Sequence, residues 1–237
     1  TSGIFEIYYE EGSGMELPND AIHVSRSNVI NKVFFDVSDF LISPLKNVDN
    51  STKIKIWIRD FDEISSLMSN QISYGTSYYN VPKKTTSTAG IIDSQLWKTV
   101  NGGKDAYDNL SNIYYDETNK LKFYHATFAF NFKLPNQWHL GLNTNTPSNK
   151  YDLYSYALRE VVHALGYNSL ISENGASKLG DEFKSYSRFD TFLNNQNNQK
   201  LINNTDGCSV MEGYSFVGSV ADLDGNCNSN GNNSNNS

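Results

Sequence analysis

Two periodicities divide the chain. Residues 4–9, IFEIYY, are apolar and aromatic enough for a first strand, and the glycines of the following EEGSG mark a turn. From Ser27, Val29, Ile30, Val33, Phe34, Val37, Phe40 and Leu41 repeat on one helical face, with Pro44 just past the expected end. In residues 53–61, KIKIWIRDF, Ile54, Ile56 and Ile58 alternate with Lys53, Lys55, Trp57 and Arg59, the pattern of a half-buried strand. A strand, helix, strand opening follows, with the helix packed on a sheet.

The middle is less regular. Residues 69–90 are rich in Ser, Thr, Tyr and Asn and contain Pro82, so they read as a long irregular loop or a twisted hairpin. Ile91–Val100 returns to a helical pattern that Asn101, Gly102 and Gly103 stop. In residues 123–132, Tyr124, Ala126, Phe128, Phe130 and Phe132 share one strand face, and His125, Thr127, Ala129 and Asn131 the other. The strongest helical period lies in YDLYSYALREVVHALGY, residues 151–167, where Tyr154, Leu158, Val161 and Leu165 form one stripe and Ala157, Val162 and Ala164 widen it. Gly166 ends that helix. Residues 173–181 are loop-like, 186–193 a short amphipathic piece, and 194–206 mostly Asn and Gln. A strand is expected over 214–220, before an Asn-rich polar tail, 221–237, with too little apolar surface to fold.

Composition narrows the function classes. With 237 residues and 38 % hydrophobic content, the chain can bury one large core or two lobes beside a cleft. A net charge of −7 without a dense Lys/Arg cluster argues against nucleic acid and anionic membranes as partners. No run approaches the ~18 apolar residues of a membrane span, and the opening TSGIFEIYY has no basic and apolar leader, so any signal peptide is expected to have been removed or never included.

The reactive side chains cluster on the 151–167 helix. Arg159 and His163 stand one turn apart with Glu160 beside them, the spacing at which two His hold zinc and the Glu after the first activates the bound water. Here the first His is an arginine. REVVHALGY resembles the HEIGHALGF helix of leishmanolysin-like secreted metallopeptidases, and WHLGLNTNTPSNKYDLYSYAL upstream and YSRFDTFL downstream extend the similarity over residues 85–220. The resemblance implies an α+β, zincin-like (metzincin-type) domain over 1–220, with a twisted mixed sheet and a central active-site-type helix at 150–166. Two lobes would divide near 167. It also implies that the 123–132 strand borders the substrate cleft and that YSRFDTFL covers the far side.

Arginine keeps its proton and has no lone pair to offer a metal, and its charge repels a dication. Arg159 is therefore expected to pair with Glu160 or a neighbouring carboxylate. Glu160 becomes a vestigial general base and His163 a vestigial ligand, with no zinc expected. The third ligand is missing too. No His follows His163, and the short-spaced metzincin position is Ser169, a poor zinc ligand. In leishmanolysin-like relatives that His comes later, before a methionine turn; CSVMEGY around Met211 lacks the His. His139, beside Trp138, reads as a cleft-wall or surface residue.

Asp222, Asp224 and Asn226 alternate around a glycine like the oxygen ligands of a calcium loop, but no bidentate Glu follows. Cys208 and Cys227 would pair as a disulfide in an extracellular chain, and Asn50, Asn109, Asn203, Asn232 and Asn235 lie in Asn-x-Ser/Thr sequons. The expectation is an extracellular metallopeptidase-like domain, secreted or at the cell surface, that has lost catalysis and binds a protein or peptide or itself. Its rivals are a zinc endopeptidase in a truncated or inactivated form, and a subunit of an extracellular filament or adhesin.

Overall fold

The computed structural model describes residues 3–42, 53–65, 71–79, 90–107, 124–134, 138–179, 185–204 and 214–216. It is a mixed α+β structure that divides into two compact units, one made of residues 1–78 and 94–165, the other of 79–93 and 166–237. Cys208, Cys227, Met211, Asp222, Asp224, Asn226, Asn50, Asn109, Asn232 and Asn235 lie outside the described residues. None of the described helices is long and apolar enough to cross a membrane.

The first unit opens with strand β1 (Phe5–Tyr9), helix α1 (Ala21–Ile42) and strand β2 (Ile54–Arg59), and β1 pairs with β2 in parallel. The alternation in β2 is borne out: Ile54, Ile56 and Ile58 are fully buried. The helix, however, starts at Ala21 rather than Ser27. Asp20 Oδ1 accepts from the N–H groups of Ile22 and His23, so a side-chain cap begins the helix before the apolar stripe does. A short helix α2 (Phe61–Ser65) follows.

Strand β3 (Ser73–Ser77) stands where the sequence suggested a loop or hairpin. Ile91–Val100, expected to be one helical stretch, splits into strand β4 (Gly90–Ile92) of the second unit and helix α3 (Gln95–Gly102) of the first. Ser94 Oγ accepts from Trp97 N and fixes where that helix starts. Strand β5 (Ala126–Phe130) runs parallel to β2 and antiparallel to β3, giving the sheet order β1-β2-β5-β3.

One face of this sheet carries Phe5, Ile54, Ile56, Ile58 and Phe128, packed with Val29, Ile30, Val33 and Phe34 of α1. The other face buries Ala129 with Phe61 and Ile64 of α2. Strands β6 (Trp138–His139) and β7 (Tyr151–Asp152) form a short parallel pair that leads into helix α4 (Leu153–Ala164).

In the second unit, β4 pairs in parallel with β8 (Ser185–Ser187), a 3-10 turn spans Phe189–Phe192, and β9 (Ile202–Asn204) pairs antiparallel with β10 (Tyr214–Phe216). Ile171, Tyr186, Leu201 and Ile202 form its core. The buried Asp190 Oδ2 accepts from Leu170 N at 3.0 Å, Ser187 N at 2.7 Å and Ser187 Oγ at 2.9 Å, fastening the segment after α4 to the end of β8.

Candidate functional site

Asp152 caps α4 by accepting from Ser155 N, and Gly166, at φ +115, carries the chain out of the helix in a backbone conformation that side chains other than hydrogen rarely adopt. The buried stripe of this helix is Leu153, Ala157, Glu160, Val161 and Ala164. Of the expected positions, Ala157, Val161 and Ala164 are buried, whereas Tyr154, Leu158, Val162 and Leu165 are only partly so. Tyr154 Oη donates to Asp36 Oδ2 of α1 at 2.8 Å. Burial, with Asp36 beside it, pushes the Tyr154 phenol up to about 12.

Glu160 lies inside the unit, at 3 % side-chain exposure, with Arg159 and His163 beside it at 60 % and 30 %. Glu160 Oε1 accepts from Ser73 Oγ of β3 and from Arg159 Nη1, each at 2.8 Å. His163 Nδ1 lies 3.6 Å from Glu160 Oε2. The charge of a buried carboxylate is thus met by one buried hydroxyl and one half-exposed guanidinium.

Strand β3 shapes the site through small residues. Its Ser73, Gly75 and Ser77 face α4, and Ser77 Oγ donates to the Ala164 carbonyl. A Cβ on Gly75 would stand 2.5 Å from Glu160 Cβ and 2.8 Å from the Phe128 ring, so only glycine lets helix and strand approach this closely. Strand β3, not β5, is the edge beside the helix; β5 lies between β2 and β3 and is buried throughout. Ile72 O accepts from Asn131 N, and Tyr78 N donates to His125 O. Because bonded positions alternate in an antiparallel ladder, the N–H and C=O groups of Ser73, Gly75 and Ser77 turn away from β5. They meet no other strand among the described residues.

The remaining histidines lie elsewhere in this unit. His125 is fully buried: Lys55 N donates to its Nδ1 at 3.0 Å, so the ring proton sits on Nε2, 3.1 Å from Asp105 Oδ1. Burial raises the Asp105 carboxyl, but the hydrogen bonds from His125 and Tyr107 N outweigh it and hold the group below its usual range. His139 is partly exposed and exchanges a 3.0 Å hydrogen bond with Thr144. In the second unit, Ser169 Oγ accepts from Ile171 N, and Asn203 lies on β9.

The donor set does not suit zinc. Around Glu160 there is one imidazole, an adjacent guanidinium and a carboxylate already committed to two donors. Among the described residues no three His, Cys, Asp or Glu side chains converge as a metal site. Sequence reasoning missed Ser73 and Gly75, which sit in a stretch of low strand propensity; the alternation of small residues in SYGTS was their one trace. No family model, curated protein or solved structure matches the chain.

Proposed function

We propose that the chain is a zincin-like domain, related to leishmanolysin-like metallopeptidases, that does not hydrolyse peptides and instead acts as a binding or structural module. The observation that carries this reading is the 2.8 Å bond from Arg159 Nη1 to Glu160 Oε1. It fixes a positive charge at the first-ligand position and ties up the carboxylate that a hydrolase needs free to take a proton from water. The likeness of REVVHALGY to the zincin helix and the mixed sheet beside α4 support the fold assignment.

No catalytic step through zinc is assigned. An exported, extracellular setting is part of the proposal and rests on the Cys208/Cys227 pair and the sequons. The experiment is Arg159→His, dialysed against zinc and assayed on an unfolded protein substrate. No hydrolysis and no stoichiometric zinc are expected in the variant or the parent. One retained zinc per chain with turnover of casein would overturn the reading in favour of a disabled enzyme.

A further inference from the structure

Three aromatic rings stand on the surface of the second unit. Tyr167 is 66 % exposed and Phe192 71 %, and the partly exposed Phe189 has its ring centroid 6.2 Å from that of Tyr167. Phe189 and Phe192 begin and end the 3-10 turn, where side chains three apart eclipse, so their rings project from one side of it. The rings form a row rather than a single plate.

The polar groups at the Phe192 end are amides. Leu193 is extended and packs into the core of the unit, so Phe192 and Asn194 on either side of it turn outward together. Asn194 Nδ2 donates to Asn198 Oδ1 at 3.0 Å. That bond leaves Asn194 Oδ1 to accept and Asn198 Nδ2 to donate, at two exposed residues. The turn that presents them is held by its own bonds: Asn195 Oδ1 accepts from Asn197 N and Gln199 N, and Asn195 N donates to Gln199 O. The amides are therefore set in place before any ligand arrives.

Charge is settled within the same segment. Arg188 forks onto both oxygens of Asp93, Lys200 Nζ donates to the Thr191 carbonyl, and Asp190 is fully buried. What the row offers outward is ring surface with a neutral acceptor and donor at one end. Area separates a macromolecular partner from a small one. The two most exposed rings present roughly two-thirds of the 150–250 Å² of an aromatic side chain each, about 200–350 Å² together, against about 800 Å² per partner in a stable protein interface. A sugar matches both features: the C–H face of its ring is apolar enough to lie on an aromatic one, and the hydroxyls on its rim both donate and accept.

We propose that this row binds a neutral oligosaccharide, with sugar rings laid on Tyr167, Phe189 and Phe192 and two adjacent hydroxyls bonded to Asn194 Oδ1 and Asn198 Nδ2. The site uses neither Arg159 nor Glu160 and stands independently of the preceding reading.

The test is isothermal titration calorimetry of the full chain with cellotriose, maltotriose, mannotriose and chitotriose. At least one is expected to bind. Tyr167→Ala and Phe192→Ala should each weaken it about tenfold or more, and Phe192→Trp, which keeps an aromatic face, should retain it. Asn198→Asp keeps the bond from Asn194 but removes the free donor, and should weaken binding to a similar degree. All these side chains are exposed, so an unchanged urea midpoint is the control for folding. Sedimentation velocity should show a monomer at every concentration. The proposal is overturned if none of the four sugars binds, or if binding survives in both Tyr167→Ala and Phe192→Ala. A dimer that Phe192→Ala abolishes would also overturn it, by assigning the row to a second copy of the chain.

Discussion

At the scale of single residues, the site rests on a carboxylate with two donors of unequal standing. Ser73 is buried and cannot be replaced by water without opening the contact between β3 and α4, whereas Arg159 is half in solvent. Ser73→Ala should therefore cost about 2 kcal/mol, the order expected when a buried charged acceptor loses a donor. Arg159→Ala should cost less, since water can take over the exposed position and surface ion pairs are worth about 0–1 kcal/mol. Urea unfolding of both variants checks the order; an equal or reversed ranking would show that Ser73 does not carry the carboxylate. The ion pair was legible in the sequence because arginine next to glutamate on a mostly apolar helix has few places to put its charge. The serine was not, since its partner lies 87 residues away.

At the scale of elements, the legible parts were those whose periodicity is set by the core. The isoleucines of β2 and most of the apolar face of α1 announce themselves because they are buried, although Phe40, counted on that face, is 72 % exposed. Helix α4 falls within the expected stretch and its Ala157, Val161 and Ala164 are buried as expected, but the inward face also takes in Glu160, which does not count as apolar in a pattern search. Strand β3 escaped because serine and glycine, poor strand formers, are required there by the close approach of α4. The start of α4 yields a further prediction. Asp152 Oδ2 accepts from both Ser155 N and Ser155 Oγ, and Asp152→Ala should lower stability by about 1 kcal/mol, read as a shift in the urea midpoint at constant slope. A change in slope instead would mean that the substitution alters how much of the chain unfolds.

For the molecule as a whole, titration should define the pH window of stability. Burial raises the phenols of Tyr9, Tyr107, Tyr154 and Tyr79, the last two to about 12. A phenol whose folded value is raised stabilises the fold fully below its unfolded value, about 10, and that contribution is lost as pH rises from there through 12. At the acid end, Asp36 is held low chiefly by its bond from Lys32, and Asp105 is net lowered despite burial. Those contributions are present above about pH 4 and vanish as the carboxylates protonate. Thermal midpoints should hold between these limits and fall steeply above pH 10, with the phenolate absorbance rising in the same transition. Phenols that titrate near 10 without loss of structure would contradict the burial of these side chains.

The parallel pairing of β1, β2 and β5 also has a consequence in time. His125 meets the backbone of Lys55 across 70 residues, and Glu160 meets Ser73 across 87. Contacts so distant along the chain make for slow closure, on the millisecond-to-second scale rather than microseconds. On a ribosome adding about 5–20 residues each second, the edge of β3 would wait several seconds for α4 to be made. Throughout that wait its outward amides are an open template for other nascent chains, and small polar side chains such as Ser73 and Ser77 keep that template from being an adhesive one.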